Sequence, residues 1–153
     1  MEYLYDKARE ELKRADHSIY VTLKYTRTTD VIKNTIKRLI SAFELGILEG
    51  LMYAKDKKII KEIPDSLKVK AELLKKVFKQ QDLTPYIDLY YLLRKIDKLP
   101  YTKKEEYRKH VTLTAYENEE KIEVDIPVLT SYYNGTKDFV ILIENWIKGI
   151  KND

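Results

Sequence analysis

Cysteine is absent from this chain of 153 residues, and histidine occurs only twice, as His17 and His110. Without cysteine the chain has no disulfide bonds, no thiolate nucleophile, and no zinc or iron–sulfur site ligated by thiolates. The two histidines lie far apart, and no group of Asp and Glu residues has the spacing of a calcium-binding loop. We therefore expect neither a bound metal ion nor a cofactor.

Long hydrophobic runs are absent too. No apolar stretch approaches the roughly 20 residues that a membrane-spanning helix needs. The first residues, MEYLYDKAREEL, carry charges every few positions and lack the apolar centre of a signal peptide. The sequence therefore predicts a cytoplasmic protein with no membrane partner.

A strong excess of charge of one sign is likewise missing, since 29 basic residues are set against 25 acidic ones for a net charge of +4. Such a surface permits nucleic-acid binding without implying it. The basic residues are mostly lysine, and abundant Glu and Ile accompany them, a composition typical of hyperthermophiles. The length suits one domain with its own core, so we expect residues 1–153 to form a single domain.

The segment 30–54, DVIKNTIKRLISAFELGILEGLMYA, is predicted to be the central helix. Its apolar residues recur three and four positions apart, and from Leu39 onward they cover nearly the whole helix circumference. A stripe of small residues follows it at four-residue spacing: Ala42, Gly46, Gly50 and Ala54. Glycine inside a helix costs about 1 kcal/mol relative to alanine, so the stripe indicates that another helix approaches the backbone closely. We expect close packing inside a bundle; a ligand groove or a homodimer seam are the alternatives.

Further amphipathic helices surround this segment. A one-sided apolar stripe predicts a first helix over 2–26, and the short polar residues 27–30 can cap the central helix and turn the chain back antiparallel to it. Ser66 and the pair Thr84-Pro85 are start signals for a third and a fourth helix, over 67–79 and 85–98.

The period then changes from helical to alternating. Residues 110–116 and 121–126 alternate polar and apolar side chains across a polar turn, which predicts an antiparallel β-hairpin over 110–126. Pro127 is expected to begin a short helical turn through 133, Asn134-Gly135 to break it, and Thr136 to cap a last helix over 138–150. The predicted fold is therefore mainly α, a four- to five-helix bundle with one antiparallel β-hairpin packed on it.

One polar and aromatic segment concentrates groups that could contact a ligand. It lies between the fourth helix and the hairpin and contains Tyr107, Arg108, Lys109 and His110. Lysine and arginine neutralise phosphates, tyrosine stacks on bases, and histidine can move protons near neutral pH. The alternation of the first strand predicts that His110 is exposed. The alternative is an ordinary solvated loop, because Glu105 and Glu106 lower the local positive charge.

Three other polar residues need an explanation. His17 lies off the apolar stripe of the first helix, so we expect it to face solvent or to be hydrogen-bonded rather than catalytic. Glu44 and Glu49 interrupt the most apolar part of the central helix, where a buried carboxylate needs a partner such as Arg38, Arg94 or a tyrosine hydroxyl. We expect structural ion pairs there rather than perturbed acids. Tyr91 or Tyr133 could edge a cleft.

The order of the segments AREELKRADHSIY, AFELGILEGLMYA and KDFVILIENWI resembles the HEPN superfamily of small helical bundles. The resemblance implies a cytoplasmic, often dimeric bundle associated with nucleotides or RNA, in many members a metal-independent ribonuclease. The catalytic signature of that family is an arginine followed, after four to six residues, by a histidine. Here Lys104 occupies that register before His110, and lysine lacks the forked geometry of arginine. The resemblance therefore implies a non-catalytic member.

Three functional hypotheses follow. The first is a non-catalytic binding module for RNA, a nucleotide or a protein partner, with Tyr107, Arg108, Lys109 and His110 as its nucleic-acid contacts. The second is a metal-independent ribonuclease that uses His110. The third is an oligomerisation or interaction subunit of a larger complex, such as a homodimer formed through the small-residue stripe.

Overall fold

The computed structural model describes residues 4–149. The fold is mainly α, with a three-stranded antiparallel sheet packed against the helices. In chain order the elements are α1 (Leu4–His17), a π-helix (Ser18–Thr22), α2 (Leu23–Tyr25), α3 (Thr29–Asp56), α4 (Leu67–Val77), α5 (Thr84–Lys98), β1 (Tyr101–Lys104), β2 (Thr112–Glu117), β3 (Glu120–Val124) and α6 (Ile126–Lys148). The predicted start of the first helix at residue 2 and the end of the last at 150 lie outside the described residues.

Helix α3 is the centre of the bundle, as predicted. It packs against α1, α4, α5 and α6, and its N-cap Thr28 accepts a hydrogen bond from the backbone N–H of Val31 at 3.3 Å. Ser66 caps α4 in the same way through the N–H of Val69. The predicted stripe of the first helix is buried at Ala8, Leu12, Ala15, Ile19 and Leu23.

The small-residue stripe of α3 faces the interior, so the predicted close packing is confirmed. A Cβ atom on Gly46 would lie 3.0 Å from Cε2 of Phe139 in α6, and one on Gly50 would lie 2.8 Å from Cδ1 of Leu74 in α4. Ala42 and Ala54 are also fully buried. The stripe is therefore neither a ligand groove nor a homodimer seam.

The sheet has one strand more than predicted. The hairpin of β2 and β3 is present, with Leu113 opposite Val124 and Ala115 opposite Ile122. Its first strand begins at Thr112 instead of His110, and Ile126 belongs to α6. The sequence analysis missed β1, which pairs with the other edge of β2 from Tyr101 to Lys104. Its polar side chains have no alternating pattern that would identify them as a strand.

The predicted break at Asn134-Gly135 is wrong, because α6 runs through it without interruption. Asp125 is the N-cap, accepting a hydrogen bond from the N–H of Val128 at 2.9 Å. The hydroxyl of Thr136 donates to the carbonyl of Tyr132 at 2.8 Å, a bond typical of a helix interior. A Cβ atom on Gly135 would lie 2.7 Å from Cδ2 of Leu89, so this glycine allows α5 to approach and does not end the helix.

The start of α5 also differs in detail from its prediction. Thr84 lies inside the first turn, and its N–H and its hydroxyl both donate to Oδ1 of Asp82, at 2.9 and 2.6 Å. The carboxylate of Asp82 therefore accepts a hydrogen bond from an N–H of the first turn, as the hydroxyl of a capping threonine would do.

We expect the substitution Gly46→Leu to lower the free energy of unfolding by about 1–3 kcal/mol, the typical cost of overpacking a dense core, because the ring of Phe139 that it would meet is fully buried. Urea unfolding at several protein concentrations measures this loss. Met52→Leu, on an exposed position of the same helix, is the matched control and should change stability by less than about 0.5 kcal/mol. A Gly46→Leu variant as stable as wild type but altered in oligomeric state would contradict the internal packing.

Candidate functional site

The four residues predicted to contact nucleic acid lie in the connection between β1 and β2. Tyr107, Arg108, Lys109 and His110 are all exposed, and Tyr107 exposes 75% of its surface. The prediction that His110 is exposed is confirmed. Glu105 and Tyr107 have positive φ angles of 58° and 65°, which place both in the left-handed region. The backbone conformation of this loop is therefore unusual for side chains of this size.

Hydrogen bonds attach the loop to the N-terminus of α3. The carboxylate of Glu106 accepts hydrogen bonds from the N–H and the hydroxyl of Thr29, at 3.2 and 3.0 Å. The N–H of Tyr107 donates to the carbonyl of Arg27 at 2.6 Å. A helix N-terminus attracts negative charge, so the charge of Glu106 is directed onto α3 and away from its basic neighbours. The loop thus presents its exposed side chains from a fixed base.

A larger feature lies between the antiparallel helices α1 and α3. It is an open groove of about 780 Å³, which we call the α1–α3 groove. Its lining residues are Glu11, Lys13, Arg14, His17, Ser18, Asn34, Lys37, Arg38 and Ser41. Four Lys and Arg side chains and one histidine are thus set against a single carboxylate.

Two helical faces produce this groove. Residues 11, 14 and 18 of the first helical segment recur at helical spacing, and so do residues 34, 38 and 41 of α3. Antiparallel packing brings the end of α1 beside the start of α3, which places Arg14 and Arg38 together. The apolar faces of the two helices do not reveal this site. The signal in the sequence is the pair of basic patches at 13–14 and 37–38, which lie on either side of the short 26–28 connection.

A hydrogen-bond network defines the floor of the groove. Nη1 of Arg14 lies 3.2 Å from Oε1 of Glu11, and Nη1 of Arg38 lies 3.3 and 3.4 Å from its two oxygens. Nδ1 of His17 lies 3.4 Å from the hydroxyl of Thr22, and His17 is exposed, as predicted. The hydroxyl of Ser18 donates to the carbonyl of Arg14 at 3.0 Å. Two helices therefore converge on one carboxylate inside a basic surface.

Strand β1 leads into the loop beside the first turn of α3. Nζ of Lys103 lies 4.0 Å from Oδ1 of Asp30. Asp30, Asn34 and Arg38 are spaced four apart on α3, so they follow one face of the helix with about 6 Å of rise between successive members. The basic residues that lead into the loop thus adjoin the end of the groove.

The two glutamates of the central helix have different environments. Glu44 accepts a hydrogen bond from the hydroxyl of Tyr90 at 2.8 Å, one of the predicted partners. Glu49 does not form the expected ion pair: its Oε1 is buried without a hydrogen-bond partner in the described part of the chain. Burial, and secondarily the negative charge of Glu144, raise the pKa of Glu49 from its ordinary 4.5 to about 8. At neutral pH this carboxyl therefore holds its proton.

Arg9, whose side chain is exposed, forms an ion pair with a different acid of this region, the buried Glu144. Its Nε and Nη2 form a fork on the carboxylate of Glu144 with distances between 2.8 and 3.1 Å, and only 2% of the Glu144 side chain is exposed. Arg9 thereby ties α1 to α6. Beside it, Tyr133 lines a second groove of about 390 Å³ between these two helices, so one of the two tyrosines expected at a cleft is found there.

Residues 4–149 contain neither a candidate metal site nor a membrane-spanning helix. No three His, Asp or Glu side chains in this range are arranged to hold a metal ion. None of the helices in the same range is long and apolar enough to cross a membrane.

The chain matches no protein-family model, no curated protein and no solved structure. The resemblance to the HEPN superfamily therefore stays a prediction.

We expect the substitution Glu49→Gln to stabilise the protein, by an amount that grows as pH rises. The unfolded chain loses this proton near pH 4.5, whereas the folded protein keeps it to about pH 8. In that window the unfolded state binds fewer protons than the native state, so wild-type stability falls with pH, by at most about 1.4 kcal/mol per pH unit. Glutamine is neutral at every pH, so the variant does not lose stability in this way as the pH rises.

Urea unfolding of wild type and variant at about pH 5, 6, 7 and 8 measures the difference. Glu62→Gln, which changes an exposed carboxylate, is the matched control and should show no such trend. A difference between Glu49→Gln and wild type that stays constant over this range would show that Glu49 is ionised when folded.

Proposed function

We propose that this protein is a non-catalytic RNA-binding module, with the α1–α3 groove as its main contact and the loop 105–110 as a second one. The observation that supports the proposal is the charge of the groove: Lys13, Arg14, Lys37 and Arg38 against Glu11. The net charge of the whole chain is only +4, so this is a local concentration of positive charge. Phosphate contacts of this kind supply much of the affinity for nucleic acids.

The neutral lining residues suit the same ligand. Asn34 and Ser41 carry amide and hydroxyl groups that can donate to phosphate. The hydroxyl oxygen of Ser18, whose proton is donated to the carbonyl of Arg14, can accept from the ribose hydroxyl. The 2′-hydroxyl distinguishes RNA from DNA, so such groups favour RNA. These neutral side chains can accept hydrogen bonds from ribose, which lysine side chains cannot do.

The loop adds the features expected for an unpaired strand. Tyr107 is exposed enough to stack on a base, and stacking needs a base that is not already paired within a duplex. Arg108 and Lys109 stand beside it for phosphate contacts. The loop contacts Thr29 and the groove includes Asn34, so both lie beside the first turns of α3, and in this proposal one strand of RNA extends over both. Single-stranded RNA is therefore the ligand that we propose.

The proposal predicts salt-sensitive binding of a fluorescently labelled single-stranded RNA in an anisotropy titration. Lys37→Gln in the groove and Arg108→Ala in the loop should each weaken binding about three- to tenfold, and each should reduce the slope of log affinity against log salt by about 1. Lys76→Gln removes one exposed charge from α4 and is the matched control, with unchanged affinity and slope.

Failure to bind RNA at both low and physiological salt would refute the proposal, and so would unchanged affinity in both variants. The bound RNA is then run on a denaturing gel, which tests the alternative of a metal-independent ribonuclease. Cleavage that His110→Ala abolishes would support that alternative; cleavage lost in His17→Ala instead would place it in the groove. Intact RNA supports the non-catalytic module.

A further inference from the structure

We propose that the carboxylate of Glu11 occupies a phosphate position of the α1–α3 groove in the free protein, and that the RNA strand displaces it on binding. This inference rests on the proposed function and adds the regulation of the same site. Glu11 is the acid among the lining residues, and its side chain is 13% exposed, whereas those of Arg14 and Arg38 are 55% and 45% exposed. An anion therefore already lies at the centre of the basic groove.

The contacts of Glu11 are loose. Its three distances to guanidinium nitrogens lie between 3.2 and 3.4 Å, and each is made by Nη1. Charge-assisted hydrogen bonds between arginine and a carboxylate are typically about 2.7–2.9 Å long, and the strong ones use two nitrogens in a fork. The carboxylate therefore holds Arg14 and Arg38 nearby without using their full hydrogen-bonding capacity.

The same chain shows what a structural arginine–glutamate pair looks like. Arg9 grips Glu144 with Nε and Nη2 at 2.8–3.1 Å, and that carboxylate is almost completely buried. The side chain of Glu144 is 2% exposed and that of Glu11 is 13% exposed, while the arginines of the two sites are similarly exposed. Glu11 therefore differs from Glu144 mainly in distance and in the number of nitrogens that hold it, and both differences favour exchange with another anion.

The exchange of Glu11 for phosphate would also favour some ligands over others. A single phosphate that displaces Glu11 replaces one negative charge with another and gains little. A strand carries several phosphates, so it can bind Lys13 and Lys37 at the same time as the two arginines, and its additional contacts outweigh the displaced carboxylate. Glu11 therefore sets a threshold that a polymer passes and a lone anion does not.

The test compares Glu11→Gln with Glu10→Gln in the RNA titration at low salt. Glu10 is an exposed neighbour on the same helix, so its substitution measures the general effect of removing one negative charge. We expect Glu11→Gln to tighten RNA binding about five- to tenfold and Glu10→Gln to change it less than about twofold. In an Arg38→Gln background the effect of Glu11→Gln should fall by at least half, which a double-mutant cycle measures.

A second readout uses inorganic phosphate as the probe. Thermal unfolding with and without millimolar phosphate should show no shift for wild type and a measurable rise for Glu11→Gln, because the freed arginines can then hold a single anion. Equal effects of the two glutamine variants on RNA affinity, or weaker binding by Glu11→Gln, would overturn the inference. The latter result would mean that Glu11 positions the arginines.

The two proposals fail in different ways. If Lys37→Gln weakens RNA binding but Glu11→Gln does not tighten it, the groove binds RNA and only the displacement is refuted. If neither wild type nor Glu11→Gln binds RNA, both proposals are refuted.

Discussion

The contact on which the structure depends is the close approach of α4 and α6 to the backbone of α3 at Gly46 and Gly50. A Cβ atom at either position would crowd Phe139 or Leu74, both fully buried, so glycine allows the helices to approach more closely there. The cost of glycine in a helix is offset because large side chains, among them Phe43 and Phe139, pack with ring centroids 4.9 Å apart beside the stripe. With one side of α3 closed in this way, the face that begins at Asn34 is left at the surface beside α1.

The position of α1 follows from two different kinds of contact. Its small and apolar residues pack on α3, and Arg9 fixes it to α6 through Glu144. Among the residues of the α1–α3 groove, Arg38 and Glu11 also link the two helices, but the buried packing does not depend on the basic residues of the groove. Stability and the proposed binding are thus assigned to different faces of the same helix.

Local signals predicted most of the fold. The caps at Thr28 and Ser66, the apolar stripes and the central helix depend on neighbours within one or two helical turns, and a sequence displays those directly. The predictions failed where a residue distant in sequence determines the local structure. Gly135 looked like a break because Leu89, which presses on it, is far away in sequence, and β1 forms because β2 offers an edge. Glu49 was expected to be paired, but the arginine of that region binds Glu144.

The candidate site was less predictable than the fold for the same reason. Tyr107 to His110 were visible as a contiguous cluster, whereas Arg14 and Arg38 become neighbours only when two helices pair. Their importance could be read from sequence only by pairing the polar faces of the helices as carefully as the apolar ones. Glu106 shows the converse: its charge appeared to weaken the loop as a phosphate site, yet it is used to bind the N-terminus of α3.

The hydrogen bonds between the loop and α3 also affect the order in which the parts of the chain fold. Glu106 and Thr29 are 77 positions apart in sequence, so bringing them together closes a longer stretch of chain than pairing α1 with α3, and each doubling of that length adds about 0.6 kcal/mol of entropic cost. Contacts between near neighbours generally form sooner than such remote ones. We therefore expect the helical hairpin to assemble early and the loop to settle late. A nascent or partly folded chain would then have the groove before it has the complete surface proposed for RNA.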